Sequence, residues 1–184
     1  MGKSSPKVLV HACCAVCLGY PYEMLSVNGY DISVLFYNPN IFPKEEYERR
    51  KREVIRFCAD KETELKIIED DAKVFYDLVK GYENEPERGM RCEQCFELRL
   101  DKAAWQAKQI GAEYFTTTLS VSPHKSFQQI KGVAERVGQK YGVKFLEIDF
   151  KKRGGFMKTN EIAAKYDFYR QKYCGCEFSI RNSQ

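Results

Sequence analysis

Residues 7–17 read KVLVHACCAVC, and the fold turns on how they are parsed. KVLVHA, residues 7–12, is a short apolar run with two valines, which reads as a buried strand. Two adjacent cysteines, Cys13 and Cys14, follow at once, with Cys17 three positions later. Adjacent thiols rarely serve packing, because one must point away from the other. At the end of a buried strand they raise a question of chemistry, which depends on where the remaining cysteines of the eight fall.

Working outward, DISVLFYN (31–38), TELKIIE (63–69), AEYFTTT (112–118) and VKFLEID (143–149) read as four further strands. Helical stretches lie between them. Residues 43–61 begin with Pro43 in a first-turn position and carry Tyr47, Val54 and Cys58 on one face. Residues 92–111 end on Gly111, and residues 122–142 offer Ser122 as N-cap, Pro123 at the first helical position and Gly142 as stop. Pro21 places the start of an earlier helix near Tyr20 and leaves 13–19 as loop. Strands alternating with helices imply parallel βαβ units: a three-layer α/β sandwich with a mostly parallel, Rossmann-like or HUP-like sheet, expected as a single domain over 1–184. Ligands in such sheets sit beyond the carboxyl ends of the strands. Cys13 and Cys14, after the first strand, and TTTLSVSPHKS (116–126), at the end of the fourth, should therefore border one crevice. Neither GxGxxG after the first strand nor GxxxxGK[ST] is present, which removes both common nucleotide fingerprints.

With 43% hydrophobic and 30% charged residues the chain reads as globular rather than disordered. No apolar run approaches the roughly 20 residues that span a bilayer. VLV is too short for a signal-peptide core, and Gly2 followed by Pro6 fails as a myristoylation site. The expectation is a cytoplasmic protein without a membrane partner. In a reducing compartment clustered cysteines bind metal or do redox work more often than they form disulfides. A net charge of +4 permits a polyanionic partner without demanding one.

Cys92 and Cys95 form C-x-x-C at the start of a predicted helix, where the helix dipole favours thiolate. That pair suits a thioredoxin-like redox site or half a zinc site. The remaining candidates, Cys13, Cys14 and Cys17 with Cys174 and Cys176, do not follow zinc-ribbon spacing, whereas a cubane iron–sulfur cluster tolerates ligands from several directions. Cys58 lies on an apolar helix stripe and reads as core. Cys17 either turns back toward the site or points inward. Gly175 permits Cys174 and Cys176 to form a strained, easily reduced ring or to bind one metal together, and the aromatic-rich segment DFYRQKYCGCEF (167–178) reads as docked. His11 reads as a support inside the sheet, and His124 as a first-turn or capping residue. ERRKRE (48–53) reads as a solvated helix face. FKKRGG (150–155) should lie on the cysteine edge, followed by Tyr166, Phe168, Tyr169, Arg170, Lys172 and Tyr173. Cations interleaved with aromatics in this way suit splayed-out RNA bases.

HACCAVC, FYNPNIFPKEEYERR, RCEQCFELRL, YFTTTLSVSPHKS and YRQKYCGC, taken together and in order, resemble the epoxyqueuosine reductase family QueH over about residues 7–178. Val16 stands where a proline is expected in the first motif. The resemblance implies a cobalamin-independent iron–sulfur oxidoreductase that completes queuosine synthesis on tRNA by reducing an epoxide to an alkene. It places the family's paired Cys, C-x-x-C and C-x-C on Cys13–Cys14, Cys92–Cys95 and Cys174–Cys176. Cys13, Cys14, Cys92 and Cys95 are then expected to hold a [4Fe–4S] cluster, with Cys17 as a further candidate ligand. Cys174 and Cys176 are expected to act as a redox-active pair or as ligands of a second metal, an additional iron being one option. Lys151, Lys152, Arg153 and Arg170 are expected to meet tRNA, and His124, Tyr37 and Asp149 are candidate proton donors. Electrons would come from an external donor of ferredoxin or flavodoxin type. A zinc-stabilised RNA-binding module and a protein thiol–disulfide oxidoreductase are the competing readings, and iron and sulfide content separates them.

Overall fold

A computed structural model describes residues 5–180; Gly2 and the ends of the expected 1–184 span lie outside the described residues. Five strands, β1 (Lys7–His11), β2 (Asp31–Phe36), β3 (Glu64–Ile67), β4 (Tyr114–Thr117) and β5 (Lys144–Phe145), form one sheet in the order β3-β2-β1-β4-β5. Every pairing is parallel. Six helices accompany it: α1 (Ala15–Val27), α2 (Lys44–Asp60), α3 (Lys73–Val79), α4 (Met90–Gln109), α5 (Phe127–Tyr141) and α6 (Gly155–Lys165). The chain runs from β1 to β3 in one direction and then crosses to β4 and β5 in the other. Right-handed crossovers therefore place α1 and α2 on one face and α4 and α5 on the opposite one. α6 joins the first group by packing on α1, and α3 packs on α4. This is the expected three-layer sandwich.

The strands nearest the middle have no exposed side: Val8, Leu9, Val10 and His11 are buried, as are Val34, Leu35 and Phe36. Around them the helices bury stripes of matching period. α5 buries Ile130, Val133, Ala134 and Val137, and α4 offers Ala103, Ala104 and Ala107, small enough to bring the helix close to the sheet. The edge strand β5 is shorter than the expected 143–149, because only β4 supports it.

Three local expectations are corrected. The segment 13–19 is not loop: α1 starts at Ala15, and Pro21 lies inside it. Proline there forfeits only the bond to the Cys17 carbonyl, while Cys14 caps the helix by accepting from the Cys17 amide at 3.4 Å. Ser122 does not cap α5. That helix starts at Phe127 with Ser126 accepting from the Gln129 amide at 3.4 Å, and Ser122 to Lys125 form a turn that puts His124 outside the helix. Finally, ERRKRE is not wholly a solvated face, because Arg50 is 1% exposed. Glu46, Arg50, Val54 and Phe57 follow the helical period on one buried stripe.

Candidate metal and redox centre

β1 ends where its neighbours diverge: β2 was built from one side and β4 from the other. A crevice opens at such a switch point, beyond the carboxyl ends. The first residues past β1 occupy it. Cys13 is held by Thr118, whose hydroxyl accepts from the Cys13 amide at 3.2 Å and lies 3.4 Å from its sulfur. Cys13 Sγ and Cys14 Sγ are 3.8 Å apart, and the sulfurs of Cys13, Cys14 and Cys17 all lie within 4.8 Å of one another. Thiolates on one tetrahedral ion with bonds of about 2.3 Å stand roughly 3.8 Å apart, so this triad can hold a metal ion. Cys17 reaches it because the helix begins at Ala15, which puts positions 14 and 17 on one face.

The other motif cysteines arrive from two further segments. Cys92 Sγ accepts from the Arg88 amide at 3.4 Å, and Cys95 Sγ lies 3.9 Å from Arg99 Nη1. Cys95 packs in one cluster with Cys176, Phe75 and Val79. Cys13, Cys17, Cys92, Cys95, Cys174 and Cys176 all line one cavity of about 350 Å³. Cys14 is not on its wall, and its sulfur accepts from Gln171 Nε2 at 3.0 Å. All eight cysteines are free thiols, and Cys58 stays in the core under α2, where burial pushes its thiol up to about 12.

The C-x-C segment is fastened rather than frayed. Arg50 donates to the carbonyls of Cys174 at 3.1 Å and Tyr173 at 3.3 Å while its Nε pairs with Glu46 at 2.7 Å. The Phe42 amide donates to the Gly175 carbonyl at 2.8 Å, the Tyr173 hydroxyl to the Phe42 carbonyl, and the Tyr169 hydroxyl to Glu46 at 2.9 Å. Gly175 has φ +134°, a conformation side-chain-bearing residues rarely adopt.

Charge in the crevice favours anions. Arg88, Arg91, Lys125, Arg170 and Lys172 line it. Hydrogen bonds from Cys14 and Cys17 hold the Cys13 thiol well below its ordinary value, and donating to Cys13 raises Cys14 to about 12. Burial raises Cys95 to about 12 and raises Cys92 and Cys176 as well. The Lys125 ammonium is held up, against burial, by the sulfurs of Cys174, Cys13 and Cys17. Behind this wall His11 is neutral, its pKa lowered by burial to about 3. Its Nε2 donates to the Tyr37 carbonyl at 3.1 Å and its Nδ1 accepts from the Thr117 hydroxyl at 2.9 Å, which ties the strand ends together.

Among the other residues singled out from sequence, Arg170 and His124 line the cavity. Lys151, Lys152 and Arg153 do not; they form the turn before α6, with Lys151 paired to Asp149 at 2.8 Å. Tyr37 also lies off the cavity, donating to Asp70 at 2.9 Å. The sequence reading missed Lys125, Gln171, Arg50 and Arg99. Only Arg50 carried a signal, its place four residues after Glu46 on an apolar stripe.

Fold and site together define a class: a parallel α/β protein that gathers thiols from distant segments at the carboxyl edge of its sheet, as metal and redox sites require. The family model described as epoxyqueuosine reductase QueH matches residues 8–182, and the chain belongs to that family. Among its relatives, the epoxyqueuosine reductase QueH of Histophilus somni (strain 129Pt) is 40% identical over 178 residues, covering 96% of this chain and 73% of that protein. That of Acinetobacter baylyi is 38% identical over 181 residues, covering 98% and 83%. That of Streptococcus pyogenes serotype M1 is 41% identical over 182 residues, covering 96% and 71%. A solved structure, described as a predicted subunit of tRNA methyltransferase from Methanocaldococcus jannaschii, aligns with TM-score 0.54 at 13% identity, covering 86% of this chain and 76% of that one. That likeness concerns the fold alone. Among the described residues no helix is long and apolar enough to cross a membrane.

Proposed function

We propose that this chain reduces epoxyqueuosine to queuosine in tRNA, with Cys13, Cys14, Cys92 and Cys95 holding a [4Fe–4S] cluster. The observation that carries the reading is the convergence of the paired-Cys, C-x-x-C and C-x-C segments on one cavity in a member of this family. The donor set fits such a cluster: soft, free sulfurs, with Cys13, Cys14 and Cys95 buried, Cys92 half-buried, Cys14 within 3.8 Å of Cys13 just behind the wall, and cations close by to offset their charge.

Removing the epoxide oxygen as water consumes two electrons and two protons and leaves an alkene. A bound cluster supplies electrons one at a time. Cys174 and Cys176 supply the complement. As a dithiol they give up two electrons and two protons on closing to a disulfide, which balances the reaction, and an external donor of ferredoxin or flavodoxin type restores them. Holding an additional iron is their alternative role. Lys125 and His124, both on the cavity wall, are candidates to relay those protons to the epoxide oxygen. Arg170 and Lys172, exposed on the cavity lining, meet phosphate, and the half-exposed ring of Phe156 on the same lining offers a face to a base turned out of its loop.

The test is to purify the protein anaerobically, measure iron and sulfide, and assay turnover on tRNA carrying epoxyqueuosine. Four irons and four sulfides per cluster with conversion to queuosine are expected. One equivalent of zinc, no iron and no turnover would instead fit a zinc-stabilised RNA-binding module.

A further inference from the structure

Arg99 is 1% exposed, on α4 one turn beyond Cys95 and two beyond Cys92. A guanidinium keeps its charge in proteins and offers five N–H donors. Here Nη2 donates to Asn38 Oδ1 at 2.6 Å, Nη1 faces Cys95 Sγ at 3.9 Å, and Nε is buried without a partner. No carboxylate of the described residues stands within ion-pair distance of it. Arg50 is paired with Glu46. Arg91 shares with Arg99 a buried Nε without a partner, but its Nη1 is met by the carbonyls of Tyr82, Glu83 and Glu85, whereas among the described residues no carbonyl faces Nη1 of Arg99 and a sulfur does.

An isolated buried cation is costly, and chains tolerate one only where a negative partner offsets it. The groups near enough to supply that charge are sulfurs. Arg99 is also fixed between the two cysteine groups, because Asn38 Nδ2 donates to the carbonyl of Ala12, the residue before Cys13, at 3.0 Å.

We propose that Arg99 is the built-in counter-charge of the metal centre and sets its reduction potential. The inference rests on the iron–sulfur reading above. Reduction adds one negative charge beside a cation that cannot move away or lose its proton, so the reduced form gains more than the oxidised form. Arg99 is thus a positioning residue that acts through Cys95 and takes no part in bond making.

Arg99→Met keeps length while removing charge and every donor, and it leaves Asn38 Oδ1 without the partner it has at 2.6 Å, so a second uncharged variant is made beside it. The wild-type protein, Arg99→Met and Arg99→Lys are reconstituted with iron and sulfide anaerobically, and the midpoint of each is taken from an EPR-monitored redox titration. The reduction equilibrium of Arg99→Met should fall at least tenfold, about 59 mV for a one-electron couple. Arg99→Lys should remain within threefold of wild type. Arg99→Gln, equally uncharged, carries the same expectation if the methionine variant does not fold. Equal midpoints in wild type and either uncharged variant overturn this inference alone. A wild-type protein that takes up no reducible iron–sulfur centre overturns it together with the function on which it rests.

Discussion

Replacing Arg50 with methionine should detach the C-x-C segment from the body of the protein. The guanidinium is 1% exposed and its partner Glu46 is 8% exposed, so removing the cation leaves a carboxylate in the core with the Tyr169 hydroxyl still donating to it. Breaking a buried pair in this way costs about 3–5 kcal/mol. The same substitution orphans two carbonyls, those of Cys174 and Tyr173. Charge-assisted bonds of that kind are worth about 1.5–3 kcal/mol, but they share the guanidinium with Glu46 and do not add in full. A loss of about 3–5 kcal/mol is therefore expected, against a total stability of about 5–15 kcal/mol. For a chain of this size that lowers Tm by about 6–20 °C. Urea unfolding reads the global loss, and alkylation of Cys174 and Cys176 followed by mass spectrometry reads the local one. Arg50→Met with Glu46→Gln should recover at least half of the loss, since the stranded charge is gone. A loss below about 1 kcal/mol, or strict additivity of the two substitutions, would refute the account of Arg50 as the clamp on this segment.

Cys92→Ser and Cys95→Ser should each leave iron at background, whereas Cys58→Ala should load normally at a stability cost of about 1 kcal/mol; equal iron content in all three would remove the distinction between core and site thiols. Cys174→Ser and Cys176→Ser should keep most of the cluster by absorbance yet lose turnover on tRNA, and full activity in either would end their proposed redox role. Gly175→Ala forces a side chain into φ +134°, with its Cβ 3.1 Å from Arg50 Nη1, and should cost about 1–3 kcal/mol while speeding alkylation of Cys174. An unchanged melting curve would show that the turn has room to relax. Charge reversal at Arg170 or Lys172 should weaken tRNA binding and reduce its salt slope by about 0.7 for each single-strand phosphate no longer neutralised, with smaller effects at Lys151, Lys152 and Arg153. Filter binding over a salt series checks this, and indifference to all five reversals would leave the crevice without an RNA-docking rim.

Strand-length apolar runs alternating with amphipathic stretches identified a parallel α/β sheet, because both periods are local properties of the chain. The cysteine motifs were equally legible, as was the family they resemble. Helix starts were less so. Ser126 won the cap over Ser122, and Cys14 allowed a helix to run through Pro21, because a cap is decided by which side chain reaches a free amide and not by residue type alone. The charged residues of the interior were invisible. Arg50 sits in a run of surface-like cations, and its burial depends on Glu46 within its own helix and on Tyr173 and Cys174, more than a hundred residues away. Arg99 likewise depends on Asn38. Desolvating a charge is tolerated only where partners converge on it, and convergence across such sequence separations exists only once the sheet has brought its carboxyl ends together.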